Sequence, residues 1–287
     1  MTPRVQPAAP SVSALPVLQR ARGRAEVGFV HRDAETRLDR LFQEGQAKIR
    51  LPKVFGAEPP TAVTINTGGG IAGGDRLVWG ARFGAGTRAC VTSQAAERVY
   101  RSSATDGGLS GEIDTHVEVG EGARAEWLPQ ETILFDRAAL SRTLSVEVAA
   151  GATALLAETI VFGRTAMGEE VEECRLIDRW RVRREGRLVF ADTFRVEGAA
   201  REILSGRATG AGARAFATVL LVDPTAEARI DEVRAVLADG ASAGGASAFD
   251  GLLVVRLADP DASRLRADLA RLLVHIRRAD LPRVWSC

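Results

Sequence analysis

From about residue 23 to residue 222 the chain alternates between apolar and polar positions, as half-buried β-strands do. The alternation is clearest in four short runs, at residues 62–65, 77–79, 113–119 and 144–148. In such a run one face of the strand packs on a core while the other meets solvent. Turns that contain glycine separate many of these runs, and the 29 glycines of the chain fit many short strands. Residues 23–222 are therefore predicted to form a β-rich body.

A weak internal repeat runs through this body. Three turn-like segments resemble one another at a period of roughly 30 residues: 84–89, 120–125 and 149–154. The second and third copies lead into two similar runs, 131–137 and 158–164. This repeated unit predicts stacked, β-helical coils, each of which buries its apolar face on the next. A β-sandwich whose hairpins look alike is the alternative, and the repeat alone does not separate the two.

The C-terminal part changes to a helical period. Asp223 and Pro224 are typical of an N-cap and a first helical residue, and an apolar stripe then runs to a stop at Gly240. The Gly/Ala/Ser-rich residues 240–248 are predicted to be a linker. Residues 252–257 indicate a buried strand.

A second helix is predicted to start at Asp259 and Pro260 and to end before Pro282. Its apolar face comprises Leu265, Leu269, Leu272, Leu273 and Ile276. Residues 223–287 are therefore predicted to form a small α/β extension with two helices, packed on the body.

Composition narrows the class of protein. Hydrophobic residues make up 46% of the chain. The formal net charge is only +1, so the chain lacks the excess of positive charge that attracts a protein to nucleic acid or to an anionic membrane. No apolar run reaches the length of a membrane span, and residues 1–22 resemble a disordered leader more than a secretory signal. The three cysteines lie far apart and predict neither a disulfide framework nor a metal site. We expect a soluble cytoplasmic protein.

The most distinctive local motif is the glycine-rich segment 67–75. Gly68, Gly70 and Gly73 form a GxGxxG pattern after a plausible strand, but the residues that follow alternate as a strand does. A dinucleotide site needs a helix there, and a P-loop needs Gly-Lys-Ser/Thr, so neither is favoured. The alternative is a loop that needs positive φ angles or close backbone approach. Asp75 is then expected to cap backbone N–H groups or to coordinate a cation.

Nucleophilic catalysis has little support in the sequence. The chain has three histidines and no Gly-x-Ser-x-Gly elbow. His116 is predicted to lie on the exposed face of a strand, and His275 to be structural within the second helix. Cys90 is typical of a small buried hydrophobe. A compact His/Cys metal cluster is therefore not expected.

Carboxylates are better placed for chemistry. Glu131, Asp136, Glu158, Glu169 and Glu170 lie in or just after the repeat strands, so stacking could bring some of them to one channel or face. Oxygen ligands hold a divalent ion weakly and release it, which suits transit. The alternative is a solvated acidic edge.

Six segments, in order, resemble the UreD/UreH family of urease accessory proteins. They are residues 40–52, 66–75, 92–102, 127–136, 158–169 and 282–285, so the resemblance covers roughly residues 24–285. The chain departs from the family at Arg137, where relatives often carry glycine after Phe-Asp, and in its extended segment 240–248. The first departure affects the geometry of a turn and the second a surface loop.

The resemblance implies a β-helical body with a few helices and no catalytic turnover. It implies a scaffold that bridges apo-urease to UreF and to the GTPase UreG, with an internal water-filled passage for nickel. No cofactor is bound permanently and nickel(II) is transient, while UreG binds the GTP, in agreement with the missing P-loop here. On this basis the hypothesis for nickel-guiding carboxylates is Asp75, Glu131, Asp136, Glu158 and Glu169.

Two other functions compete with this one. A small-molecule enzyme that uses the glycine loop is the main alternative. A β-solenoid adhesion module is disfavoured because no secretion signal is evident.

Overall fold

The computed structural model describes residues 20–53, 58–102, 108–164 and 167–286. Within these ranges two β-sheets pack face to face, and helices lie against the outer face of one sheet. Residues 1–19 of the predicted leader lie outside the described residues, so its disorder stays a prediction. Among the described residues, no helix has the length and apolarity that crossing a membrane requires.

Seventeen strands are present in the described ranges, with these bounds: β1 Arg22–Arg32, β2 Glu35–Gly45, β3 Ala47–Arg50, β4 Thr61–Asn66, β5 Arg76–Phe83, β6 Arg88–Ser93, β7 Glu97–Val99, β8 Gly111–Val119, β9 Arg124–Leu128, β10 Thr132–Leu134, β11 Ala139–Val148, β12 Thr153–Phe162, β13 Glu173–Arg184, β14 Arg187–Ala199, β15 Ala215–Val222, β16 Ala243–Phe249 and β17 Leu252–Asp259. The α-helices are α1 Ala200–Ser205, α2 Ile230–Ala238 and α3 Ala262–Arg277, and 3-10 turns occupy Ala226–Arg229 and Arg283–Ser286.

The two sheets are built by a chain that alternates between them. Sheet A has the order β14-β13-β11-β8-β5-β1-β2, and sheet B has β16-β17-β15-β12-β9-β6-β4-β3, with the short β7 and β10 paired alongside β12. The central strands of each sheet are parallel to their neighbours, because each coil contributes one strand to each sheet. The predicted mainly β fold is therefore confirmed, and of the two arrangements that the repeat left open the chain adopts the stacked coils that the family resemblance implies.

The three turn-like repeat segments lie on top of one another. Gly86 N donates to Glu121 O at 2.9 Å, and Thr153 N donates to Ala123 O at 2.8 Å, so backbone hydrogen bonds join successive turns. Gly86, Gly122 and Gly151 hold the same position of the turn with φ between +64° and +68°. Glycine recurs there because a side chain is disfavoured at such φ angles.

The two similar runs that follow the turns are not stacked in the register of their sequence likeness. Thr132 lies opposite Ile160 and Leu134 opposite Phe162, which is an offset of one residue. Because side chains alternate between the faces of a strand, this offset puts Glu131 and Glu158 on opposite faces of sheet B. The two glutamates that the repeat aligns thus have different surroundings.

Two hydrophobic cores result. The larger lies between the sheets and includes Phe29, Phe83, Leu144, Leu176 and Trp180. The second lies on the outer face of sheet B, where strand residues such as Leu155 and Val255 pack against α2 and α3. The predicted apolar face of the second helix is confirmed, since Leu265, Leu269, Leu272, Leu273 and Ile276 are all buried.

The C-terminal prediction was wrong in three details. Residues 240–248 are not a linker: β16 pairs with β17, and a side chain at Gly244 would lie 2.8 Å from Leu257, so small residues permit close packing there. The helix N-cap is Asp261, which accepts from Ser263 N and Arg264 N. A 3-10 turn separates Asp223 from α2. β15 joins β12 to β17 within sheet B, and the division of the chain at residue 222 stays a prediction.

Candidate functional site

A cavity of about 220 Å³ opens between the two sheets. Its half-buried end is lined by residues at the end of β4 and between the end of β6 and the start of β7, among them Asn66, Gln94 and Glu97. Its buried end is lined by strand side chains that include Trp79, Thr115, Trp127, Thr132, Arg142 and Glu158. Polar and charged groups at the end of a cavity inside an apolar core are costly unless they serve a purpose, so this is the candidate site.

A buried ion pair between neighbouring strands of sheet A forms one wall. Arg142 on β11 lies directly opposite Asp178 on β13. Its guanidinium donates twice to that carboxylate, Nε to Oδ1 at 3.0 Å and Nη2 to Oδ2 at 2.7 Å. Nη1 donates to Thr132 Oγ1 at 2.9 Å across the core. Arg142 is thus fixed by three hydrogen bonds.

Glu158 on β12 reaches the same cluster from sheet B. Its carboxylate accepts from Trp127 Nε1 at 3.3 Å and from Trp180 Nε1 at 3.1 Å. Arg142 Nη2 lies 3.2 Å from Glu158 Oε2, a longer contact than the one it makes with Asp178. All three charged side chains are at most 6% exposed.

The electrostatics follow from this burial. Burial raises the pKa of Glu158 to about 7, Arg142 opposes that rise, and Asp178 adds to it. Burial alone would lower the pKa of Arg142, yet Asp178 and Glu158 together hold that pKa above its usual value. Arg142 therefore stays charged, while Glu158 is close to the balance between its acid and its carboxylate at neutral pH.

A second carboxyl lies at the half-buried end. Glu97 Oε1 accepts from Asn66 Nδ2 at 2.9 Å, and Asn66 Nδ2 also donates to Gly70 O, which ties the glutamate to the glycine loop. Burial raises the pKa of Glu97 to about 7, although the Asn66 hydrogen bond acts to lower it. The cavity thus carries two carboxyl groups that exchange protons near neutral pH.

The raised pKa of Glu97 predicts that removal of its carboxyl group stabilises the fold, and that this effect depends on pH. A carboxyl whose pKa is higher in the folded state stabilises the fold below its unfolded pKa, and that contribution is lost as pH rises through about 7. Glu97→Gln, whose amide oxygen still accepts from Asn66, is expected to be near neutral at pH 4. It is expected to raise the free energy of unfolding by roughly 1–3 kcal/mol at pH 8.

Urea titrations at the two pH values measure this difference. Glu118→Gln is the matched control, because the Glu118 side chain is 69% exposed on the outer face of sheet A. An equal effect of Glu97→Gln at pH 4 and pH 8 would show that the carboxyl is solvated.

The structure does not bring the five predicted nickel-guiding carboxylates together. Glu158 alone of them lines the cavity. Asp75 accepts from Ala21 N at 2.8 Å and from Ala72 N at 2.9 Å, the capping role that was one of its two expected roles. Glu131 pairs with Arg266 of α3 at 2.8 Å.

The other two carboxylates also have partners of their own. Asp136 accepts from Glu172 N at 2.9 Å and from Glu173 N at 3.2 Å. Glu169 pairs with Arg164 at 2.6 Å. Across the described ranges, no group of three or more His, Cys, Asp or Glu side chains is arranged to hold a metal ion. Metal binding by these residues stays a prediction.

The structure also tests the predictions made for the glycine loop, His116, Cys90 and Arg137. β5 follows the glycine loop, so no helix is present to meet a pyrophosphate. His116 is exposed, and Cys90 is fully buried. Arg137 takes the left-handed conformation with φ of +61°, so the turn keeps a geometry that suits glycine even though arginine occupies it.

Arg142, Asp178 and Glu97 were missed by sequence reasoning, yet two of them left a signal. Arg142 interrupts the apolar register of β11 between Leu140 and Leu144, and Asp178 interrupts that of β13 between Leu176 and Trp180. A charged residue on the core face of a strand requires a partner, so two such interruptions at one level predict a buried pair.

Comparison with known proteins gives a consistent family. The sequence model described as UreD urease accessory protein matches residues 21–286. A urease accessory protein UreD of Rhizobium leguminosarum bv. viciae is 48% identical over 269 residues, which cover 93% of this chain and 96% of that protein. UreD of Mesorhizobium japonicum is 46% identical over 94% of this chain and 96% of its own length. A protein named UreD 1 of Brucella melitensis is 43% identical over 94% and 95%.

Proposed function

Because the chain belongs to the UreD family of urease accessory proteins, we propose that it is a non-catalytic scaffold with an internal passage through which nickel reaches apo-urease. A role in urease nickel assembly is that of the family, and it requires a path for the ion as well as surfaces for partners. The cavity between the sheets supports such a path, since it leads from a half-buried end into the core and is lined by two carboxyl groups, those of Glu97 and Glu158.

The observation that carries the proposal is the pair of carboxyl groups with raised pKa, Glu97 at the half-buried end and Glu158 at the buried end. Carboxylate oxygens are hard, exchangeable ligands. A carboxyl with a pKa near 7 gives up its proton to an arriving cation at little cost in free energy. Nickel(II) is then a transient cargo, and no cofactor stays bound.

The partners are proposed from the same family role. Apo-urease, UreF and the GTPase UreG are the proteins that this scaffold would bridge, in the cytoplasm. A durable assembly of this kind buries about 2,000 Å² or more. The glycine loop leads into a strand, which supports assigning nucleotide binding to UreG and disfavours the small-molecule enzyme.

Neutral replacements inside the cavity test the proposal. The double variant Glu97→Gln/Glu158→Gln keeps the shape of both side chains and removes both carboxylates. We expect urease matured with it to contain at least about twofold less nickel per active site, because each amide is a far weaker ligand. The readout is nickel by elemental analysis after co-expression with urease and the other accessory proteins.

The matched control is Glu112→Gln/Glu118→Gln, two exposed carboxylates on the outer face of sheet A. Both double variants are expected to pull down urease as the wild type does. Normal nickel content with the cavity variant and an intact complex would rule out a carboxylate passage through this cavity.

A further inference from the structure

Arg142 lies between two carboxylates that belong to different sheets. Asp178 is its neighbour within sheet A, and Glu158 faces it from sheet B across the core. Nη2 contacts both, at 2.7 Å from Asp178 Oδ2 and 3.2 Å from Glu158 Oε2. A single cationic nitrogen thus bridges two buried carboxylates, which is the position that a divalent ion occupies in a carboxylate site.

The bridge is unequal. Arg142 is held firmly by its paired bonds to Asp178 and by Thr132, whereas every contact to the Glu158 carboxylate is 3.1 Å or longer. Arg142 and Glu158 line the cavity, while Asp178 lies behind the guanidinium. A cation that enters the cavity therefore meets Glu158 and the fixed positive charge together.

The charges of the cluster balance only when one of its two carboxyl groups is protonated. The strands packed around it contribute two carboxylates and one guanidinium, and the remaining polar neighbours Thr115, Thr132, Trp127 and Trp180 are uncharged. Without Arg142, two unpaired carboxylates would be buried side by side, and such a pair demands a proton or a metal ion.

We propose that Arg142 is a built-in substitute for a divalent cation, filling the position between Glu158 and Asp178 where nickel would otherwise be retained. The inference rests on the proposed passage of nickel through the cavity. A guanidinium keeps its charge at all accessible pH values, so the position cannot be vacated by deprotonation. Glu158 is left able to contact a passing ion that the nearby positive charge prevents from staying.

Removal of the substitute tests the inference. Arg142→Gln leaves Glu158 and Asp178 facing one another with no cation. In equilibrium dialysis of the full chain, carrying a solubility tag, against nickel chloride alone, we expect about one nickel ion retained per chain. The Kd is expected to be at least tenfold lower than that of the wild type, because two buried carboxylates then share the ion.

Two matched variants separate charge from structure. Arg142→Lys keeps the positive charge and is expected to retain no more nickel than the wild type. Arg142→Gln/Asp178→Asn removes one of the two carboxylates and is expected to lose most of the increase in nickel affinity that Arg142→Gln alone produces. A gain that survives in the double variant, or nickel binding by Arg142→Gln equal to that of the wild type, overturns the inference.

Folding supplies a second readout if Arg142→Gln is unstable. Nickel is then expected to restore the circular dichroism spectrum and raise the Tm, since the ion replaces the missing guanidinium. Failure of nickel to rescue an unfolded Arg142→Gln chain also overturns the inference. A normal nickel content in urease matured with the Glu97→Gln/Glu158→Gln variant is a different outcome, and it would contradict the proposed passage. Retention of nickel by Arg142→Gln would in that case still support the role of Arg142 as a substitute cation.

Discussion

Asp178→Ala is expected to lower the free energy of unfolding by about 3–5 kcal/mol, because it removes the doubly bonded partner of a buried arginine. Arg142 would keep its charge inside the core, with only Thr132 and the more distant Glu158 as partners. An unpaired buried charge costs several kcal/mol, which is far more than the net free energy that the lost hydrogen bonds contribute. Urea denaturation of the purified full chain measures the change.

Asp114→Ala is the matched control for this prediction. Asp114 pairs with Arg76 at 2.9 Å across neighbouring strands of the same sheet, but the two side chains are 31% and 53% exposed. An exposed pair of this kind contributes about 0–1 kcal/mol. Equal losses from Asp178→Ala and Asp114→Ala would mean that water reaches the Arg142 cluster.

Gly70→Val is expected to cost about 3 kcal/mol or more, or to abolish folding. Gly70 has φ of +155°, and an added Cβ would lie 2.3 Å from Tyr100 Cε2 and 2.7 Å from Arg98 O. The backbone oxygen cannot move without breaking the bond it accepts from Ile71 N. Both the conformation and the space at this position therefore exclude a branched side chain.

Gly69→Ala gives the comparison within the same loop. Gly69 also has a positive φ, of +75°, but an added Cβ meets nothing within 4 Å. Only the conformational strain of about 1 kcal/mol is then expected. Thermal unfolding of the two variants measures the difference, and isothermal titration of the wild type with NAD or GTP is expected to show no binding. Specific nucleotide binding would contradict the assignment of this loop to a structural role.

The mainly β class and the positions of many strands were predictable because they depend on local periodicity. Alternation with a period of two marks each strand, and the recurring turn glycines mark where each coil begins again. The apolar stripe of α3 was equally clear, since a helix that packs on one face must repeat its leucines at helical spacing.

The register between coils was not predictable from the repeat. The runs that contain Glu131 and Glu158 look alike, but hydrogen bonding joins them with an offset of one residue. One glutamate therefore pairs with α3 and the other enters the core. Similarity of sequence cannot fix such an offset, because packing on both faces of the sheet decides it.

The candidate site was only partly visible in the sequence. Glu158 was identified, but its partners Arg142 and Asp178 are 36 residues apart and meet only because β11 and β13 are neighbours. Glu97 gave no signal, since its raised pKa arises from burial beside a loop whose shape the sequence did not reveal.

The packing of α3 and Trp285 on the outer face of sheet B has a consequence for how the chain is synthesised. Synthesis proceeds from the N-terminus, so the stacked coils are complete before α3 and Trp285 leave the ribosome. Until then the outer face that carries Leu128 and Leu155 has no apolar layer over it from those residues. A nascent chain, or one truncated before residue 262, would contain complete coils with an exposed apolar face on sheet B. The segment from α3 to Trp285 thus decides whether this apolar face is covered or is free to aggregate with other chains.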